Sequence, residues 1–79
     1  MTKKSAVWKD RIITNENILA GKPIINNTRI SVEFIMELLA EGWKHEQILS
    51  NYPQLKDEDI LAALKYSAEA IKKEKIFAL

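Results

Sequence analysis

Gly42 and Pro53 constrain this chain more than any other residues, because they cut the stretch from Ser31 to Lys75 into three pieces, each of a length and period that suits one helix. The first piece opens at Ser31, a good N-cap, and runs from Val32 to about Glu41. Val32, Ile35, Met36, Leu38 and Leu39 fall on one face of it, and Glu33, Glu37 and Glu41 on the other. Gly42 stands where a C′ residue in the left-handed conformation closes a helix. After Trp43, a second helix spans about His45 to Asn51 with Ile48 and Leu49 turned inward, and Pro53 ends it. The third begins at Asp57-Glu58-Asp59, three carboxylates placed where the helix dipole favours them, and continues to about Lys75. Along it Ile60, Leu64, Ser67, Ala68 and Ile71 recur at i, i+4, i+7, i+8 and i+11, the spacing expected of an inner face.

The first 30 residues read differently. Residues 1–10 show no period and are expected to form a flexible arm with Trp8 as its anchor. Arg11-Ile12-Ile13-Thr14 has the β-branched character of a short strand, and Gly21-Lys22-Pro23 is loop chemistry. Ile24-Ile25 and Thr28-Arg29-Ile30 flank Asn26-Asn27, which predicts a tight hairpin or turn, since Asn tolerates positive φ better than other non-glycine residues. The expected fold is mainly α: a short N-terminal β-ribbon over 11–30, then a three-helix, helix-turn-helix-like (homeodomain-like) bundle with a C-terminal tail over 31–79. A lone two-stranded ribbon is marginal in water, so pairing with the ribbon of a second subunit would stabilise it.

With 79 residues there is room for one core, and a domain of this size buries only about 60% of the surface its unfolded chain exposes, which makes a homodimer a reasonable expectation. No cysteine is available to staple it or to hold zinc. No apolar run approaches the roughly 18 residues of a membrane span, and the charged N-terminus is followed by no apolar signal core, so a cytoplasmic protein without membrane attachment is expected.

The net charge of +1 conceals a segregation. Residues 1–30 carry six basic and two acidic side chains, residues 31–63 two basic and seven acidic, and residues 64–79 four basic and two acidic. A polyanion would therefore prefer the two ends. Among chemistry-bearing residues, His45 lacks the converging partners a general base or metal site needs. Asp57, Glu58 and Asp59 are adjacent on a helix and so point in different directions. Gly21-Lys22-Pro23, with one glycine ahead of a strand, is not a phosphate loop. No enzyme activity, cofactor or metal is expected. Three acids at the start of the third helix disfavour its entry into a major groove, so DNA contact, if made, would fall to the ribbon through Arg11, Lys22 and Arg29. Lys72-Lys73-Glu74-Lys75 leads into Ile76-Phe77-Ala78-Leu79, apolar residues that either fold back on their own core or pack on a partner.

One ordered set of segments carries a family resemblance: Gly21-Lys22-Pro23-Ile24-Ile25, Thr28-Arg29-Ile30 with Val32, Leu38-Leu39-Ala40-Glu41-Gly42-Trp43, Ile48-Leu49, Asn51-Tyr52-Pro53 with Leu55, and Asp59-Ile60 with Ala62-Ala63-Leu64 and Tyr66. From Arg11 to about Ala70 the chain resembles the domain-of-unknown-function-433 family. It departs from the family pattern at Asn27, where glycine is common, at Ser31, where proline is common, and at Lys44-His45 and Lys56, where a capping Ser or Thr is common. The resemblance implies a helix-turn-helix-like fold, often dimeric, and the role of antitoxin in a type II toxin–antitoxin pair whose toxin is a PIN-like ribonuclease. It implies no catalytic residues. Acidic PIN-like active sites suit a basic tail with apolar anchors, which nominates Lys72, Lys73, Ile76, Phe77 and Leu79 for toxin binding. The alternative is a DNA-binding transcriptional regulator acting through the basic ribbon of a dimer.

Overall fold

Two pairs of isoleucines make the ribbon. The computed structural model describes residues 4–74, in which β1 (Ile12–Ile13) pairs antiparallel with β2 (Ile24–Ile25), Ile12 opposite Ile25 and Ile13 opposite Ile24. Side chains alternate across a strand, so each opposed pair shares a face. Ile25 and Ile12 join the helical core, while Ile13 and Ile24 line a groove on the other face together with Ile18 of the β1–β2 connection. Both central isoleucines are sealed, Ile24 at 0% and Ile25 at 1% exposure.

The turn expected at Asn26-Asn27 forms. Asn27 takes φ 69°, and the Ile25 carbonyl accepts from both the Thr28 N–H (3.0 Å) and the Thr28 hydroxyl (2.7 Å). The chain then returns along the free edge of β2: the Ile25 N–H donates to the Ile30 carbonyl at 2.9 Å and the Val32 N–H to that of Pro23 at 3.0 Å. One chain thus borders β2 on both edges, which meets part of the need that a second ribbon would have met. The β1–β2 connection contains a tight left-handed turn, Leu19, Ala20 and Gly21 at φ 50°, 56° and 82°.

The helices follow the punctuation. α1 (Val32–Ala40) is capped by Ser31, whose hydroxyl accepts from the Phe34 N–H at 2.9 Å. It closes at Gly42, φ 95°, with paired bonds from the Gly42 N–H to the Leu39 carbonyl and from the Trp43 N–H to the Leu38 carbonyl. This is the Schellman arrangement that a C′ glycine permits. α2 (His45–Asn51) starts at Lys44, which has no side-chain acceptor; instead Gln47 Oε1 reaches back to accept from the Lys44 N–H at 2.8 Å. α3 (Asp57–Glu74) solves the same problem at Lys56 in the same way, with Asp59 Oδ2 accepting from the Lys56 N–H at 2.9 Å. The order of a ribbon and three helices is the one expected, and the domain is mainly helical.

Ile25, Val32, Ile35, Leu38, Ile48, Leu55, Ile60 and Ala63 form the core. Phe34 lies at its rim, edge-on to Tyr52 with ring centroids 5.5 Å apart.

Two expectations change. Lys4–Arg11, expected as aperiodic arm and strand start, forms a 3₁₀ helix that packs on α3. Its three-residue period leaves no amphipathic signature of the α kind. Within α3, Ile60 is buried and Ser67 half-buried as expected, but Leu64, Ala68 and Ile71 are exposed. The inner face is instead drawn through Asp59, Ile60, Ala62, Ala63 and Tyr66, the first four of them buried. The small alanines let neighbouring elements approach α3 closely, so α3 meets the core through Ala62 and Ala63 beside Ile60 and leaves Leu61, Leu64 and Ile71 on the outside.

Candidate interaction surfaces

Arg11, the last residue of the 3₁₀ helix, places Nη1 2.8 Å from Asp59 Oδ1. Asp59 is buried at 5% exposure, and its two oxygens serve separate partners, the Arg11 guanidinium and the Lys56 N–H that opens α3. The pair ties the N-terminal segment to the start of the third helix. It also engages the guanidinium with a carboxylate, and Arg11 Nε, buried, has no hydrogen-bond partner. The second ribbon candidate, Lys22, donates to Glu33 Oε1 at 2.9 Å, and that hydrogen bond, with the charge of Glu33 behind it, raises its pKa above the usual lysine value. Arg29 is exposed beside the Asn26–Thr28 turn, on the rim of the groove lined by Ile13, Ile18 and Ile24. Of the three basic ribbon residues, two are therefore paired within the chain.

The acidic start of α3 divides as helix geometry requires. Asp57 Oδ1 lies 2.8 Å from His45 Nδ1, Asp59 faces inward to Arg11, and Glu58 is exposed with no ion-pair partner among the described residues. Three neighbours thus have three different surroundings and no common focus.

The least expected feature is the outward face of α3. Leu61 is 52% exposed, Leu64 37% and Ile71 62%, and exposed Ala68 lies between the last two. Positions 61, 64, 68 and 71 are neighbours on one side of an α-helix, so they form a continuous apolar stripe. Beside it run Lys65, Glu69 and Lys72, linked by ion contacts of 3.8 Å (Lys65–Glu69) and 3.6 Å (Lys72–Glu69). Lys72 and Lys73, two of the residues nominated for toxin binding, are exposed at the C-terminal end of the same helix; Ile76, Phe77 and Leu79 lie outside the described residues. The stripe escapes a reading by periodicity because α3 carries two apolar faces at once, and the larger side chains draw the period toward the wrong one. The signal that separates them is the pair Ala62-Ala63, small residues at the helix positions opposite the stripe.

No described helix is long and apolar enough to cross a membrane.

A family model described as "Protein of unknown function (DUF433)" matches residues 12–67. Among solved structures, the chain is similar to the crystal structure of a DUF433 member protein from Anabaena variabilis ATCC 29413, with a TM-score of 0.76 and 28% sequence identity over 87% of this chain and 68% of that one. No curated protein matches.

Proposed function

The chain belongs to the DUF433 family of proteins of unknown function, and from that membership we propose that it is a non-enzymatic, cytoplasmic protein-binding module, the antitoxin of a type II toxin–antitoxin pair that neutralises a PIN-like ribonuclease. The supporting observation is the C-terminal end of α3, where Lys72 and Lys73 are both exposed and lead into the apolar sequence Ile76-Phe77-Ala78-Leu79. A ribonuclease of that type holds its metal in a cluster of carboxylates, and a cationic segment with apolar anchors is complementary to such a cleft. Glu69 leaves the charge of Lys72 only partly offset, through an exposed contact of 3.6 Å.

The alternative, a DNA-binding regulator acting through Arg11, Lys22 and Arg29, has less to support it. Arg11 and Lys22 are engaged with Asp59 and Glu33, and a phosphate would have to displace a carboxylate to reach either.

The test is co-expression with the product of the adjacent open reading frame. Growth arrest by a PIN-like ribonuclease, relieved by the full chain and unrelieved by a chain ending at Ile71, is the expected result. Equal relief by the shortened chain, or absence of relief by the full one, would overturn the reading.

A further inference from the structure

We propose that the outward stripe of α3 is a homodimer interface, in which two copies of α3 pack antiparallel about a two-fold axis at the level of residue 66. The spacing of Leu61, Leu64, Ala68 and Ile71 is three, four, three, the seam of a short coiled coil. It is also symmetric about position 66. Turning one copy end for end lays Leu61 against Ile71 of the second copy and Leu64 against Ala68, large on large at the ends and large on small near the axis. A two-fold interface must be self-complementary in this way. A parallel pair would set each residue on its own twin, with two leucines in one layer and two alanines in another.

The charges select the same orientation. α3 begins with Asp57 and Glu58 exposed and ends with Lys72 and Lys73 exposed. Antiparallel packing sets the acidic start of each helix against the basic end of the other and opposes their dipoles favourably; parallel packing sets like ends together. Glu58, Lys65 and Lys72 recur every seven residues along one flank of the stripe, and Glu58 has no ion partner within the described chain. In the antiparallel pair each Glu58 falls beside Lys72 of the second copy. Near the axis the two Lys65 side chains approach each other, and each brings Glu69, 3.8 Å away, to moderate the repulsion.

The occupant is therefore a second copy of this chain. The seam covers about three helical turns, at the small end for a stable interface, so dissociation is expected in the micromolar range. The inference does not depend on the antitoxin reading, since every readout uses the chain alone.

Sedimentation of the full chain from low to high micromolar concentration is expected to pass from monomer to dimer. Leu64→Glu with Ile71→Glu is expected to abolish the dimer while circular dichroism stays unchanged, because both side chains are exposed. Glu58→Lys or Lys72→Glu alone is expected to raise the dissociation constant about tenfold, and the two together to restore it. Orientation is tested by cross-linking, which the absence of native cysteine makes clean. Two copies of residue 61 lie about 15 Å apart along an antiparallel pair, beyond the roughly 7 Å that a disulfide spans. Leu61→Cys alone is then expected to stay uncross-linked, and a mixture of Leu61→Cys and Ile71→Cys to form the mixed disulfide. A monomer at every concentration, a dimer indifferent to Leu64→Glu with Ile71→Glu, or efficient self-cross-linking of Leu61→Cys would overturn the proposal.

Discussion

The two oxygens of the Asp59 carboxylate are shared between the first turn of α3 and a guanidinium 48 residues earlier in the chain. Removing the carboxylate leaves the Lys56 N–H without its cap and the Arg11 charge, only 28% exposed, without a counterion. Because breaking a pair of this kind strands a partly buried charge, Asp59→Ala is expected to cost about 3 kcal/mol in urea unfolding, and Asp59→Asn less, since the amide oxygen can still accept from Lys56. A loss no larger than that of an ordinary surface substitution would show that the pair holds nothing together. Backbone conformation gives a prediction of opposite sign at Ala20. Its φ of 56° lies in the left-handed region, where a Cβ is strained and glycine is not. Ala20→Gly is expected to raise the midpoint of thermal unfolding, with a gain of up to about 1 kcal/mol. A fall would contradict the left-handed turn.

Elements were legible in the sequence where a single residue decides them. Ser31, Gly42 and Pro53 mark helix ends through local chemistry, a cap bond, a positive φ and a missing N–H, and each acts at the place the sequence puts it. The Asn26-Asn27 turn was legible for the same reason. Features that depend on what packs against what were less so. The 3₁₀ helix at Lys4–Arg11 has no period to announce it, and its place on α3 is fixed by a distant partner, Asp59. At the starts of α2 and α3 the chain lacks a capping side chain, and the reaching carboxyl or amide three residues later, Gln47 or Asp59, does the work from the other side. On α3 the core chose Ala62 and Ala63 over Leu64 and Ile71, a choice set by how closely the neighbouring elements approach. That assignment of faces is tested by a contrast in stability measured under monomeric conditions. Ala63→Leu is expected to cost about 2 kcal/mol by overpacking, whereas Ile71→Ala, its side chain 62% exposed, is expected to change stability by less than about 0.5 kcal/mol. The reverse order would mean that α3 faces its core through the other side.

At the scale of the molecule, a chain of 79 residues has invested one helix in two surfaces. The inner face of α3 closes the core against the N-terminal segment, α1 and α2, and the outer face carries Leu61, Leu64 and Ile71 into solvent beside a row of charges. A small core gains by covering such a stripe, and the order of charge along α3, acidic to basic, favours a second copy in reverse. Lys72 and Lys73, with the apolar sequence that follows them, are the proposed surface for a different partner, and Lys72 belongs to both proposals, so self-association and binding of that partner would compete for it. The family match, residues 12–67, covers the body of the domain and the first half of α3, with Leu61 and Leu64 inside it and Ile71, Lys72 and Lys73 beyond it. The central claim, that the outer face of α3 is a surface for partners and not a stray patch, is tested most directly by following backbone amide resonances of the full chain on dilution. Resonances from Glu58 to Lys72 are expected to shift together with a single dissociation constant while those of Ile12–Ile13 and Ile24–Ile25 stay in place; shifts confined to the ribbon, or none at any concentration, would contradict it.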